Sequence, residues 1–180
     1  MNKILRLTLV LFLVCAIAAG ILGGVYELTK DKIEEQKLAK TVRAYSAVLV
    51  SESYEDVRFD AEAFPTVDSI AKASNGAGYV VMTTFSGAQG SINMAVGVGN
   101  DLKCTGISIV SHSETSGLGA NAASTAQVGV DFRAQFVGED GSVALKKAGG
   151  NIDALSGATI TSRSVTSAVS EAIAAVAALG

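Results

Sequence analysis

The chain of 180 residues contains one histidine, one proline and two cysteines, and each scarcity removes a class of chemistry. His112 alone cannot build a histidine-rich metal site. Cys15 lies inside a long apolar run and Cys104 far beyond it, so the two cannot pair and the chain must fold without a disulfide. One cysteine outside the run also cannot assemble a zinc or iron–sulfur site within this chain. Cys104 reads as a small buried hydrophobe. A Ser-His-Asp hydrolase would have to use His112, and the sequence has no G-x-S-x-G elbow. The phosphate-cradling loop G-x-x-x-x-G-K-[ST] is missing as well. Redox chemistry in this chain therefore requires an organic cofactor. Pro65 is the sole proline, so no proline-rich linker divides the chain.

Basic residues are also in deficit. Setting aside Lys3 and Arg6 from the 14 basic residues leaves 12 against 17 acidic ones, a net charge of −5. Nucleic-acid binding needs clustered basic residues that displace counterions, and it is excluded.

What is present is a run without charge from Leu7 to Val25, nearly all apolar. As a helix it spans roughly 30 Å, the thickness of a bilayer core. Lys3 and Arg6 precede the run and Glu27 follows it. Positive charge on the N-terminal flank predicts a cytoplasmic N-terminus, a single pass through the cell membrane, and an extracytoplasmic remainder. A cleaved signal peptide is the rival, with Ala16-Ile17-Ala18 as its cleavage site. The run continues past that site through Val25, which favours a retained anchor. A lipoprotein fits less well, because Val14 stands before Cys15 where a small residue is expected.

Residues 26–50 lack proline and glycine, and they place Ile33, Leu38, Val42, Tyr45 and Leu49 at near-helical spacing. They predict a helix that continues from the anchor or restarts above it. From Gly78 the pattern changes to short β-rich runs, GYVVMTTFSG, SINMAVGVG and LKCTGISIVSHSE, separated by glycine-rich turns. These read as antiparallel strands. Ala120 to Phe136 tolerates helix, and Asp140-Gly141 marks a turn. A last helix, from about Thr161 to Leu179, puts Val165, Val169, Ile173 and Val176 on one face against the sheet. The expectation is an α+β fold: an anchor over residues 1–26, a juxtamembrane helix over 27–50 and a globular domain over 51–180.

Two stretches carry candidate chemistry. In Ser111-His112-Ser113-Glu114-Thr115-Ser116-Gly117-Leu118-Gly119 a strand ends in polar residues and glycine. The plain reading is a loop exit. In Asp153-Ala154-Leu155-Ser156-Gly157-Ala158-Thr159-Ile160-Thr161-Ser162 small and hydroxyl residues crowd the mouth of the last helix. The plain reading is a helix cap in which Thr161 or Ser162 accepts an orphan N–H. A helix start with spare N–H donors and little bulk is also a seat for an anion, most often phosphate.

The segment Asp153 to Thr159 resembles the D-x-x-[ST]-G-A-T signature of covalent FMN-binding domains. His112 to Gly119 resembles their H-x-E-T-P-G-L-G segment, with Ser116 in place of the usual proline. Behind a single N-terminal span, this pair is similar to the G subunits of Rnf electron-transport complexes. It is also similar to the C subunit of the sodium-pumping NADH:quinone oxidoreductase, which tends to be longer. Residues 40–75 resemble nothing recognised. The resemblance implies FMN joined by a flavin transferase to Thr159 through a phosphoester, with Asp153 part of the recognition motif. Gly157 and Ala158, beside Ser156, would let the transferase and its donor approach. Thr161 and Ser162 would meet the phosphate, and His112, Glu114 and Thr115, with Gly117, Leu118 and Gly119, would meet the flavin. The implied partners are the other membrane subunits of an ion-translocating ferredoxin:NAD oxidoreductase. The implied role is electron transfer, not catalysis by the chain alone. A flavin-bearing sensor without pump partners, or a structural subunit without flavin, remains open on the residues themselves.

Overall fold

The computed structural model describes residues 3–179. The first element, α1, is one unbroken helix from Lys3 to Val48. Its N-terminal part is long and apolar enough to cross a membrane and buries nothing within the chain. With no glycine or proline between Tyr26 and Val48, the helix has no reason to stop where the apolar run does. The chain separates into two compact units, one running to Lys40 and one from Thr41 onward.

The second unit is built on a five-stranded antiparallel meander in the order β1-β2-β3-β4-β5. The strands are β1 (Tyr54–Val57), β2 (Val67–Ala73), β3 (Gly78–Ser86), β4 (Ser91–Gly99) and β5 (Cys104–His112). Beyond the sheet lie α2 (Gln127–Ala134) and α3 (Thr159–Ala177). This is an α+β arrangement, and β3 to β5 follow the three runs expected from the sequence.

Strands β1 and β2 lie in the stretch that resembled nothing. A reason is visible in each. In β1 the middle two of four residues are exposed acids, as suits an edge strand. In β2 a register shift between Val67 and Ser69 breaks the alternation that marks a strand.

Both faces of the central strands are covered, so β3 and β4 bury alternate residues in opposite directions. Val81, Phe85, Ile92, Met94, Val96 and Val98 face α3, where they meet Val165, Val169, Ile173 and Val176. Phe132 and Phe136, ring centroids 5.4 Å apart and edge to face, close the same core. Each such side chain, fully buried, contributes about 1.5–3 kcal/mol. On the opposite face, Val80, Met82 and Ala95 pack against Ala44, Val48 and Leu49 at the end of α1.

The helix-tolerant stretch from Ala120 divides into a short 3-10 turn at Gly119–Ala123 and α2. The break is at Ser124, extended at φ −63° and ψ 144°. Arg133 reaches back to the carbonyls left loose there, donating to Ala122 O at 2.6 Å and Ser124 O at 3.0 Å.

The docking of the end of α1 onto the sheet rests on Gly97. A Cβ there would stand 2.2 Å from Thr105 Oγ1 and 2.6 Å from Val48 O. The Thr105 hydroxyl donates to that same carbonyl at 2.6 Å. A side chain at Gly97 must push the last turn of α1 off the sheet, at a cost of about 1–3 kcal/mol. Gly97→Val is therefore expected to speed proteolytic cutting around residues 49–53, measured on the full chain in detergent. Cleavage at the wild-type rate would show that the contact does not hold the helix.

Candidate functional site

The last helix begins at Thr159, two residues earlier than the sequence pattern suggested. The reason is that Ala158 O already accepts the Ser162 N–H at 2.9 Å, so the helical ladder opens at Ala158. No side chain caps this end. The expected caps are used elsewhere. Thr161 and Ser162 are both 0% exposed. The Ser162 hydroxyl donates to Ala158 O at 2.9 Å and accepts the Leu155 N–H at 3.0 Å. The Thr161 hydroxyl donates to the Glu114 carboxylate. Neither hydroxyl, as placed, is open to a phosphate.

Glu114 is itself 8% exposed. One oxygen accepts the Gln89 N–H at 3.0 Å, and the other takes the Thr161 hydroxyl. Burial pushes its carboxyl up, but the hydrogen bonds from Gln89, Thr161, Ala88 and Gly90 outweigh this and hold it below the ordinary glutamate range. Gly87 and Gly119 make the space: a Cβ on either would lie within 2.4 Å of a carboxylate oxygen. The carboxylate thus ties the turn 87–90, the segment after β5 and the first turn of α3 to one point.

The structure brings the two sequence motifs together. Leu118 Cδ2 lies 2.9 Å from where a Cβ of Gly157 would sit, and Gly157 takes a positive φ of 70° that a larger residue resists. A small cleft of about 120 Å³ lies between the motifs, lined by Glu114, Thr115, Leu118, Gly119, Gly157, Ala158 and Thr161, together with Ala88 and Gln89. Gly117 closes the intervening loop at φ 78°, and its carbonyl accepts from Asn121 at 3.0 Å. Ser116, the departure from the family pattern, is exposed. His112 is exposed at the end of β5, and its Nδ1 accepts the Glu114 N–H at 3.2 Å. It does not line the cleft.

Thr159 looks the other way. It borders one depression of about 340 Å³ with Lys146, Lys147, Asp153, Ser156 and Gly157. It borders a second, of about 230 Å³, with Lys147 and Arg163. Asp153 is held in place twice. Its N–H donates to Gln135 Oε1 at 2.7 Å, and its carboxylate meets Lys146 Nζ at 2.5 Å. The pair with Lys146 is exposed and adds at most about 1 kcal/mol.

Sequence reasoning missed Gln89, Gln135, Lys146, Lys147 and Arg163. Arg163 carried a signal, since it stands four residues after Thr159 on one helix face. The turn residue Gln89 carried none.

Both motifs, joined at the helix mouth above the antiparallel sheet, lie within a stretch that matches a flavin-binding domain. Residues 87–174 match the FMN-binding domain family, and residues 1–48 match the RnfG N-terminal region. The chain is 35% identical to the G subunit of the proton-translocating ferredoxin:NAD(+) oxidoreductase complex of Clostridium ljungdahlii, over 96% of this chain and 91% of that protein. It is 31% identical to the G subunit of the ion-translocating oxidoreductase complex of Methanosarcina acetivorans, over 96% and 94% of the two chains. The G subunit of the Na(+)-translocating ferredoxin:NAD(+) oxidoreductase complex of Acetobacterium woodii is 31% identical, over 94% and 90%. The chain belongs to the RnfG family, the G subunits of Rnf complexes. With the apolar run of α1, this sets it at a membrane.

Glu114 supplies a stability test. Its carboxyl lies below the unfolded value, so its contribution is present above the ordinary carboxylate range and is lost as pH falls through the folded value. Glu114→Gln is expected to destabilise the globular unit by about 1–3 kcal/mol at pH 7. The gap to wild type should close as the medium is acidified. Urea unfolding followed by near-ultraviolet circular dichroism at several pH values measures this. A gap independent of pH would show that the charge is not what holds the three segments.

Proposed function

We propose that the chain is the membrane-anchored, FMN-carrying electron-transfer subunit of an ion-translocating ferredoxin:NAD oxidoreductase. The FMN is joined by a phosphoester to Thr159. The observation that carries the reading is the contrast among the hydroxyls at the helix mouth. Thr161 and Ser162 are sealed in the core, while Thr159 is partly exposed on an open depression. Gly157 leaves its approach free of side-chain bulk. The fit to a phosphoester is chemical as well as steric: the first N–H groups of α3 have no side-chain cap, and Lys147 and Arg163 line the depression that Thr159 borders.

When bound, FMN supplies reversible electron transfer. The chain's residues supply the rest. Thr159 fixes the group to the first turn of a helix whose far side is anchored in the core. Glu114 holds the segment 115–119 against that turn, so Leu118 and Gly157 meet beside the attachment turn. Asp153, clamped by Gln135 and Lys146, offers a rigid exposed motif to a flavin transferase. The partners are the remaining membrane subunits of the complex. The globular unit lies outside the cytoplasm in this reading, with Lys3 and Arg6 directly ahead of the apolar run and no basic residue beyond it before Lys30. There a tethered cofactor is not lost by dilution.

Attachment is tested on denaturing gels. The wild-type band from its native membrane should fluoresce under ultraviolet light, and Thr159→Val should abolish the signal. Persistence of the band in Thr159→Val would overturn the site.

Orientation is tested with protease added to cells stripped of any outer envelope. The globular unit should be digested, leaving a short membrane fragment. Protection in intact cells with digestion in inverted vesicles would reverse the assignment.

A further inference from the structure

The depression beside Thr159 has a charge of its own, which the sequence motifs do not describe. Arg163 follows Thr159 by four residues in α3, one helical turn along the same face. Lys147, from the short turn Lys146–Ala148, lines the same depression. Lys146 is taken by Asp153, but neither Lys147 nor Arg163 has an ion-pair partner among the described residues. Two cations without an ion-pair partner among the described residues thus line the depression that the partly exposed Thr159 borders, in a chain whose part beyond the apolar run is acidic overall. The hydroxyls that could have served an anion in their place, Thr161 and Ser162, are sealed within the core.

We infer that Lys147 and Arg163 form a phosphate seat. In it the phosphoryl group of the flavin lies on the cationic side of Thr159 and is neutralised by side chains, not by the hydroxyls of the helix mouth. The inference rests on the reading that Thr159 carries FMN, and it adds the direction in which the phosphate is held. An arginine suits the role because its planar fork matches phosphate oxygens two at a time, while the lysine supplies a mobile point charge. Open solvent on one side leaves room for a donor molecule to enter before the bond is made.

The test uses the full chain in detergent, produced without a flavin transferase so that Thr159 is free. FMN and riboflavin differ only in the phosphate, and quenching of their fluorescence reports binding of each. The wild type is expected to bind FMN about tenfold or more tightly than riboflavin, as charged hydrogen bonds to one ligand group allow. Lys147→Gln with Arg163→Gln should bring FMN to the riboflavin level, whereas Lys147→Arg should keep the preference. A control with the same loss of charge, Lys40→Gln with Lys103→Gln, should also keep it. Equal binding of the two flavins by the wild type overturns the seat. So does a preference that survives the first double substitution, or one that the control abolishes. Failure of the attachment reading shows separately: a fluorescent denatured band in Thr159→Val removes the tether, while the ratio of FMN to riboflavin binding still decides the seat.

Discussion

The Glu114 carboxylate joins three stretches of chain that are far apart in sequence. The turn after β3, the segment leaving β5 and the first turn of α3 all meet at it. A buried carboxylate is costly unless its oxygens are satisfied, and here the satisfaction comes from backbone N–H groups and a threonine hydroxyl, not from a counter-charge. Such an anchor has little freedom, because backbone donors cannot rotate away as a lysine can. Gly87 and Gly119 sit at two places where any side chain would collide with the carboxylate. The mouth of α3 is therefore set by one residue that belongs to the other motif, and removing its charge loosens both motifs together.

A second constraint acts on the opposite face of the sheet. There the end of α1 takes the place that a further helix of the globular unit would otherwise fill, with Ala44, Val48 and Leu49 packed on Val80, Met82 and Ala95. The small side chains are the reason: alanines and a missing Cβ at Gly97 let the backbone of α1 come close enough for Thr105 to bond a helix carbonyl. Helix α1 thus serves two environments. Its apolar run is unburied among the described residues, while its last turns are part of the core of the globular unit.

How much of this was legible depended on whether a signal was local. The strands from Gly78, the packing face of the last helix and the meeting of the two motifs followed from periodicity and resemblance. Strand β1 did not, because four residues with exposed acids in the middle look like a loop until a neighbour supplies their hydrogen bonds. Strand β2 was hidden by its bulge. The start of α3 was misplaced because hydroxyls were read as caps, when two of them are core hydrogen-bonding groups. Gln89 and Gln135 act through backbone contacts to distant residues, and nothing in their own surroundings marks them.

The position of Thr159 relative to Thr161 shows how one short motif performs two tasks. At 3.6 residues per turn, residues two apart in a helix point about 200° from each other. Thr161 therefore faces inward with Val165, its neighbour one turn on, and is held by Glu114. Thr159 faces outward with Arg163, one turn on in the same sense. A shift of the helix start by one residue would rotate both hydroxyls by about 100°, taking Thr161 off the core face and Thr159 off the open one. The small residues before the helix prevent that shift. Gly157 holds its left-handed turn, and Ala158 is buried with its carbonyl taken twice by Ser162, through N–H and through hydroxyl. The register of α3 is fixed before its first turn is complete, and with it the side of the protein on which Thr159 is offered.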